Sequence, residues 1–187
     1  MQAANTGGSS GYAGYEYQKR VTAWLSLELM IGKALTDSIV VEPRSQEDIE
    51  AALKEPDEAS LEFSTAPNKL TVQIKSRSTA PWSSSAFADV LKGKADDGEL
   101  GRRARPLEML TSDPRVKYLF VTNESVDASL RPHVASTVIE FPNPKQLPPH
   151  ARDGIDQPTQ ESMAPRLAIL RGITIEVLES RLGRLLR

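Results

Sequence analysis

The stretch Asn68-Lys-Leu-Thr-Val-Gln-Ile-Lys-Ser-Arg77 decides how this chain is read. Leu70, Val72 and Ile74 alternate with Thr71, Gln73 and Lys75, the period-2 pattern of a strand with one face in the core. The other face carries an amide and an ammonium two residues apart, so Gln73 and Lys75 project to the same side. A polar face of this kind is either simply solvated or built for chemistry.

Working upstream, the spacing of Val21, Trp24, Leu25 and Leu29 predicts a helix over "YEYQKRVTAWLSLELMIGK", with Gly32 as its stop. Gln18 falls on the inward stripe of that helix, and a buried-facing amide needs partners that either a strand end or a site would supply. "DSIVVEP" reads as a short strand closed by Pro43. "QEDIEAALKE" fits a helix by propensity or a strand continuing a meander, and both readings stay open. The opening residues 1–10, rich in glycine and serine, are expected to be a disordered lead-in.

Downstream, "SSSAFADVLK" predicts a helix with serines at its mouth, and a further helix is expected from Glu99 to Leu110, interrupted or restarted at Pro106. "VKYLFVT" is a buried strand by its β-branched and aromatic content. A short helix is expected at "DASLRPH" and a strand at "STVIEF". Residues 142–165 hold six of the 13 prolines and read as a loop or linker. Residues 166–187 regain helical periodicity and are expected to be a C-terminal helical or docking segment. The order α-β-β-β-α-β describes a mixed α/β sandwich over residues 11–141, with a parallel crossover between its third and fourth strands.

Composition excludes several function classes. The 187 residues contain no cysteine and two histidines, so a thiolate zinc site is impossible and a histidine-built one is not expected. No apolar run approaches the ~20 residues that span a bilayer, and a soluble, cytoplasmic protein is expected. The net charge of −2 provides no global attraction for nucleic acid, so phosphate binding must come from local patches or a bound cation. Two patches qualify: Lys69, Lys75 and Arg77, and the 92–105 stretch with Lys92, Lys94, Arg102, Arg103 and Arg105. Charge runs are more often a solvated surface.

If "EDIEAAL" is a strand beside "LTVQIK", Asp48 lies across from Gln73 and Lys75. Phosphodiester hydrolysis has a use for that set. Mg²⁺ takes hard oxygen ligands and often keeps waters while sharing one or two carboxylates with substrate phosphate. Asp48 would be the anionic ligand, the Gln73 oxygen a neutral one and the Ile74 backbone carbonyl a third. Lys75 would position water and stabilise developing charge.

"GYEYQKRVTAWLSLELM", "EDIE", "LTVQIKSR", "PWSSSAFADVL" and "YLFVTNE", in that order, resemble the double-stranded-DNA endonuclease domain of bacterial anti-phage effectors. These are the CD-NTase-associated nucleases and related domains of the PD-(D/E)xK, restriction-endonuclease-like superfamily. The resemblance covers residues 11–141. It implies that Asp48 is the metal-binding acid, that Gln73 and Lys75 form the (D/E/Q)-x-K element, and that Gln18 is the first-helix polar residue facing the site. Mg²⁺ (or Mn²⁺) is the expected cofactor, and Arg77, Lys69, Lys92, Lys94, Arg102 and Arg103 of the two basic patches are the candidate DNA contacts. In such effectors the nuclease is joined to an NTPase or sensor module. Activation by such a fused or partner module, or by homo-oligomerisation, is expected, because the chain ends in a basic, apolar-striped segment and a one-site nuclease needs two copies to cut both strands of a duplex. No Walker-type segment is present, since "GKADDG" lacks its spacing. The rival expectation is a non-catalytic module that uses the same fold to hold nucleic acid or a partner.

Overall fold

The computed structural model describes residues 7–42, 48–54, 68–77, 80–93 and 105–185. It is an α/β protein with a five-stranded mixed sheet between two layers of helices. Helix α1 (Gly7–Leu27) passes into one π-helical turn at Glu28–Gly32. It therefore takes in residues 7–10 of the expected lead-in. Strands β1 (Ile39–Val41), β2 (Ile49–Leu53) and β3 (Asn68–Lys75) form an antiparallel meander. Helices α2 (Ser84–Lys92) and α3 (Pro106–Ser112) then carry the chain to β4 (Val116–Thr122), which runs parallel to β3. Helix α4 (Gln157–Met163), strand β5 (Leu167–Leu170) and helix α5 (Ile175–Leu185) complete the described order. Along the sheet the strands run β1-β2-β3-β4-β5, with β5 parallel to β4.

The open reading of "EDIEAAL" resolves as strand. Ile49 and Ala51 are buried while Glu50 and Ala52 are not, the alternation of a strand with one face in the core. Their register, Ile49 opposite Val72 and Ala51 opposite Leu70, sets these apolar pairs against Val21, Leu25 and Leu29 of α1 and its π turn. Burying each of the larger side chains, Ile49, Val72 and Leu70, contributes about 1.5–3 kcal/mol. The opposite face packs Tyr118, Phe120, Leu167 and Ile169 against Phe87 and Leu91 of α2 and Met109 and Leu110 of α3. Strands β3 and β4 are covered on both faces, which is why "VKYLFVT" reads as a continuous apolar run.

Two expectations are corrected here. "STVIEF" forms no strand: residues 136–139 are bends, with the Ser136 hydroxyl bonded to Glu140 and the Glu140 N–H to Thr137 Oγ1. These local side-chain bonds draw the segment away from a ladder. The helical periodicity expected from Arg166 begins only at Ile175, because Leu167–Leu170 is a strand buried throughout. A four-residue apolar run carries no period that separates strand from helix. Helix α3 begins at Pro106, the restart position, where the missing proline N–H costs nothing. Residues 99–104 of that expected helix lie outside the described residues.

The proline-rich stretch packs onto the second layer. Leu147, Ala151, Met163 and Ala164 are all buried in it, and Pro149, Pro158 and Pro165 occupy the first turns of short helices. Proline is tolerated there because no intrahelical donor is lost. No helix among the described residues is long and apolar enough to cross a membrane.

Candidate functional site

The site is built where β2 starts and β3 ends. Because the two strands are antiparallel, the residue before Ile49 comes to lie beside the residue after Val72. That residue is Asp48, whose backbone N–H donates to the Val72 carbonyl at 3.0 Å. Its carboxylate is buried, with 8% exposure for the residue. Oδ2 accepts from Gln73 Nε2 and from the Ile74 backbone N–H, both at 2.5 Å. Oδ1 accepts from Gln18 Nε2, delivered from α1 across the sheet edge. Gln18 reaches because α1 passes close to the end of β3, where a Cβ on Gly14 would stand 3.5 Å from Ser76 Oγ.

All three donors to this carboxylate are neutral amides. Burial therefore wins over hydrogen bonding, and the Asp48 pKa is raised above the usual carboxylate value. The Ile74 amide, the charge of Lys75 and the Gln73 side chain oppose that shift, while the charge of Glu42 adds to it. Lys75 projects from the same face of β3 as Gln73, at the exposed end of the strand. Its ammonium has no hydrogen bond or ion pair among the described residues. Lys75 thus supplies a positive charge near a buried carboxylate whose direct hydrogen-bond donors are all neutral.

The donor chemistry suits a hard divalent cation. Asp48 offers carboxylate oxygens, and the Gln73 amide carries an oxygen beside its donor nitrogen. The Ile74 carbonyl lies on the same edge of β3 as the N–H that meets Asp48. Among the described residues no group of three or more acids, histidines or cysteines gathers that could hold a metal ion. Glu47, the other acid of "EDIE", lies outside the described residues.

Of the expected DNA contacts that lie among the described residues, Arg77 alone stands beside the site. Its guanidinium stacks on Trp82, 4.5 Å from the ring centroid, and Nη1 donates to the Pro81 carbonyl at 3.4 Å. Lys69 does not join it. Six residues before Lys75 on the same strand, it sits about 20 Å away, and its ammonium pairs with Glu50 at 2.7 Å. Lys92 is the last residue of α2, whose first turn follows Trp82, and lies 3.9 Å from Asp153. Lys94, Arg102 and Arg103 lie outside the described residues.

Sequence reasoning missed the groups that hold Arg77 in place. Asn123 accepts from the Arg77 N–H at 2.9 Å and donates to the Arg77 carbonyl at 3.0 Å, so its amide grips the chain just beyond Lys75. Trp82 is fixed from two sides, its indole N–H donating to Thr122 Oγ1 at 2.9 Å and its ring meeting Phe120 edge-on at 4.9 Å. The available signal was the position of "TN" directly after "VKYLFV". In open α/β sheets the carboxyl ends of parallel strands are where ligands bind.

No family model matches the chain, and comparisons with curated proteins and with solved structures found no match.

Proposed function

We propose that the chain is a metal-dependent DNA endonuclease domain with a restriction-endonuclease-like α-β-β-β-α-β core. The observation that carries this reading is the convergence of Asp48, Gln73, Ile74 and Gln18 at one strand end, with Lys75 beside them and without an ion pair among the described residues. Asp48, the Gln73 amide oxygen and the Ile74 carbonyl would hold Mg²⁺ (or Mn²⁺). The cation supplies positive charge for a phosphate oxygen and favours ionisation of water at neutral pH.

The chain's own residues do the rest. Gln18 fixes the orientation of the carboxylate from the α1 side. Lys75, with three unspent donors, orients the attacking water and meets the negative charge that grows on the phosphate in the transition state. Arg77, held flat on Trp82, presents guanidinium donors to a neighbouring phosphate of the strand. With a net charge of −2, long-range attraction is weak and the duplex is held through such local contacts. One site per chain cuts one strand, so a double-strand break requires two copies brought together, by self-association or through a partner. The proposed setting is an effector nuclease of bacterial anti-phage defence.

The test is plasmid cleavage by the purified chain with Mg²⁺, with Mn²⁺ and with EDTA, across protein concentration. Nicking that needs the cation and is lost in Lys75→Ala supports the reading. Duplex binding with no cleavage under any cation would assign the fold to a non-catalytic module. Cleavage strictly linear in concentration, by a chain that light scattering shows to be monomeric, would remove the assembly requirement alone.

A further inference from the structure

Unpaired cations gather in a second place, on the other side of α1. A cleft of about 310 Å³ opens between the end of α1, the 136–138 turn and α5. Lys33, Arg181 and Arg184 line it against one carboxylate, Glu28. None of these three cations has an ion pair within 4.0 Å among the described residues, whereas Arg20 on α1 is bridged to Glu179 on α5 at 3.2 Å. The chain thus pairs charges elsewhere between these same two helices and leaves the cleft positive.

The wall is organised as well as charged. Arg181 lies over the fully buried Trp24, 4.8 Å from its ring centroid, which leaves the guanidinium edge and its donors unspent. The Trp24 indole N–H finds no acceptor among the described residues. Thr137 Oγ1 accepts from the Glu140 N–H at 3.2 Å, so its hydroxyl hydrogen remains available. Helix α5 comes close enough here that a Cβ on Gly32 would stand 2.8 Å from Leu185 Cδ2. Two arginines three residues apart on one helix repel, and burial together with the Arg184 charge holds the Arg181 pKa below the usual arginine range. An anion between them would relieve that repulsion.

We propose that this cleft binds a small phosphate-bearing ligand of roughly mononucleotide size. Arginine forks suit phosphate oxygens, and hydroxyl and ammonium donors complete a set in which donors outnumber acceptors. The volume falls at the low end of the range for small-molecule pockets, and the concave shape suits a compact ligand better than a duplex. The proposal stands independently of the nuclease reading, since no residue is shared between the two sites.

Isothermal titration of the full chain with 5′-AMP, inorganic phosphate and adenosine, at fixed ionic strength, tests it. AMP is expected to bind saturably and adenosine not at all. Inorganic phosphate binding as tightly as AMP places recognition in the phosphate alone, and tighter AMP binding adds the nucleoside. Arg184→Ala and Lys33→Ala, both at exposed positions, should each weaken AMP at least tenfold while leaving the thermal midpoint unchanged. Absence of saturable binding by both phosphate compounds overturns the proposal, as does AMP binding unaffected by Arg184→Glu. A short DNA duplex that displaces AMP with a steep salt dependence would give the cleft to nucleic acid and overturn it too.

Discussion

The two ends of β3 treat charge in opposite ways. At the Lys69 end two ion pairs form among the described residues: Lys69 bridges Glu50 at 2.7 Å, and Arg115 forks onto Asp113 with two contacts of 2.9 Å. The Arg115 hydrogen bonds hold the Asp113 pKa down to about 2. At the Lys75 end, Asp48 is buried among neutral amides with its pKa raised, and the nearby ammonium has no ion pair among the described residues. One eight-residue strand therefore carries a surface settled for stability at one end and an unsettled one at the other. Ionisable groups perturbed by burial and left short of counter-charge concentrate where chemistry is done.

Substitution at each end is the sharpest way to break this contrast. Lys75→Ala is expected to lower DNA cleavage by about 10²–10³, the usual cost of losing a transition-state charge contact, with an unchanged thermal midpoint. Lys69→Ala should leave cleavage within about twofold, since its charge is spent on Glu50. Equal losses in a side-by-side nicking assay would mean that the free ammonium at Lys75 has no special role.

The pH dependence of stability sharpens the contrast from another side. His133 is buried, and desolvation lowers its pKa to about 4. As pH falls from about 6.5 to 4, the unfolded chain takes up a proton that the native state refuses, and stability is lost. Over that window the loss amounts to about 3 kcal/mol, readable from urea unfolding at several pH values, and His133→Gln should flatten it. Asp48 has the opposite sign. Its raised native pKa means that the folded state protonates first, so its burial penalty is present at neutral pH and relaxes as pH falls through the raised value. Asp48→Asn is accordingly expected to raise the thermal midpoint at pH 7 while abolishing cleavage; a lowered midpoint would show that the carboxylate is a structural bond and not a stored cost.

The smallest effect belongs to the settled end. Breaking the partly buried Lys69–Glu50 bridge, whose side chains are 39% and 18% exposed, with Lys69→Ala should cost about 1 kcal/mol, the usual net contribution of one hydrogen-bonded pair. A loss well above that would mean the two ends are less different than their geometry implies.

How much of this was legible in the residues differs from element to element. Alternation in "LTVQIK" placed Gln73 and Lys75 on one face, and the inward stripe of α1 placed Gln18, because period alone decides facing. Asp48 was legible only conditionally: "EDIEAAL" suits helix and strand alike, and burial of Ile49 and Ala51 against α1 chose between them. The expected DNA contacts were grouped by nearness in sequence, and a strand sends its two ends ~20 Å apart, which separates Lys69 from Arg77. Strand β5 was hidden because "LAIL" is short, apolar throughout and followed after four residues by a periodic helix. Asn123 was invisible because its role depends on which strand lies beside "VKYLFVT".

The position of β5 bears on how the protein can be cut down. A fragment ending at residue 141, where the recognisable motif order stops, would lose Leu167–Leu170 and strip the outer flank of β4. Four consecutive β4 residues, Tyr118 to Val121, would then present unpaired backbone and large apolar side chains, an invitation to intermolecular pairing. The shortest workable fragment for crystallisation or assay therefore runs to at least Leu170 and carries the loops and short helices of residues 142–166 with it.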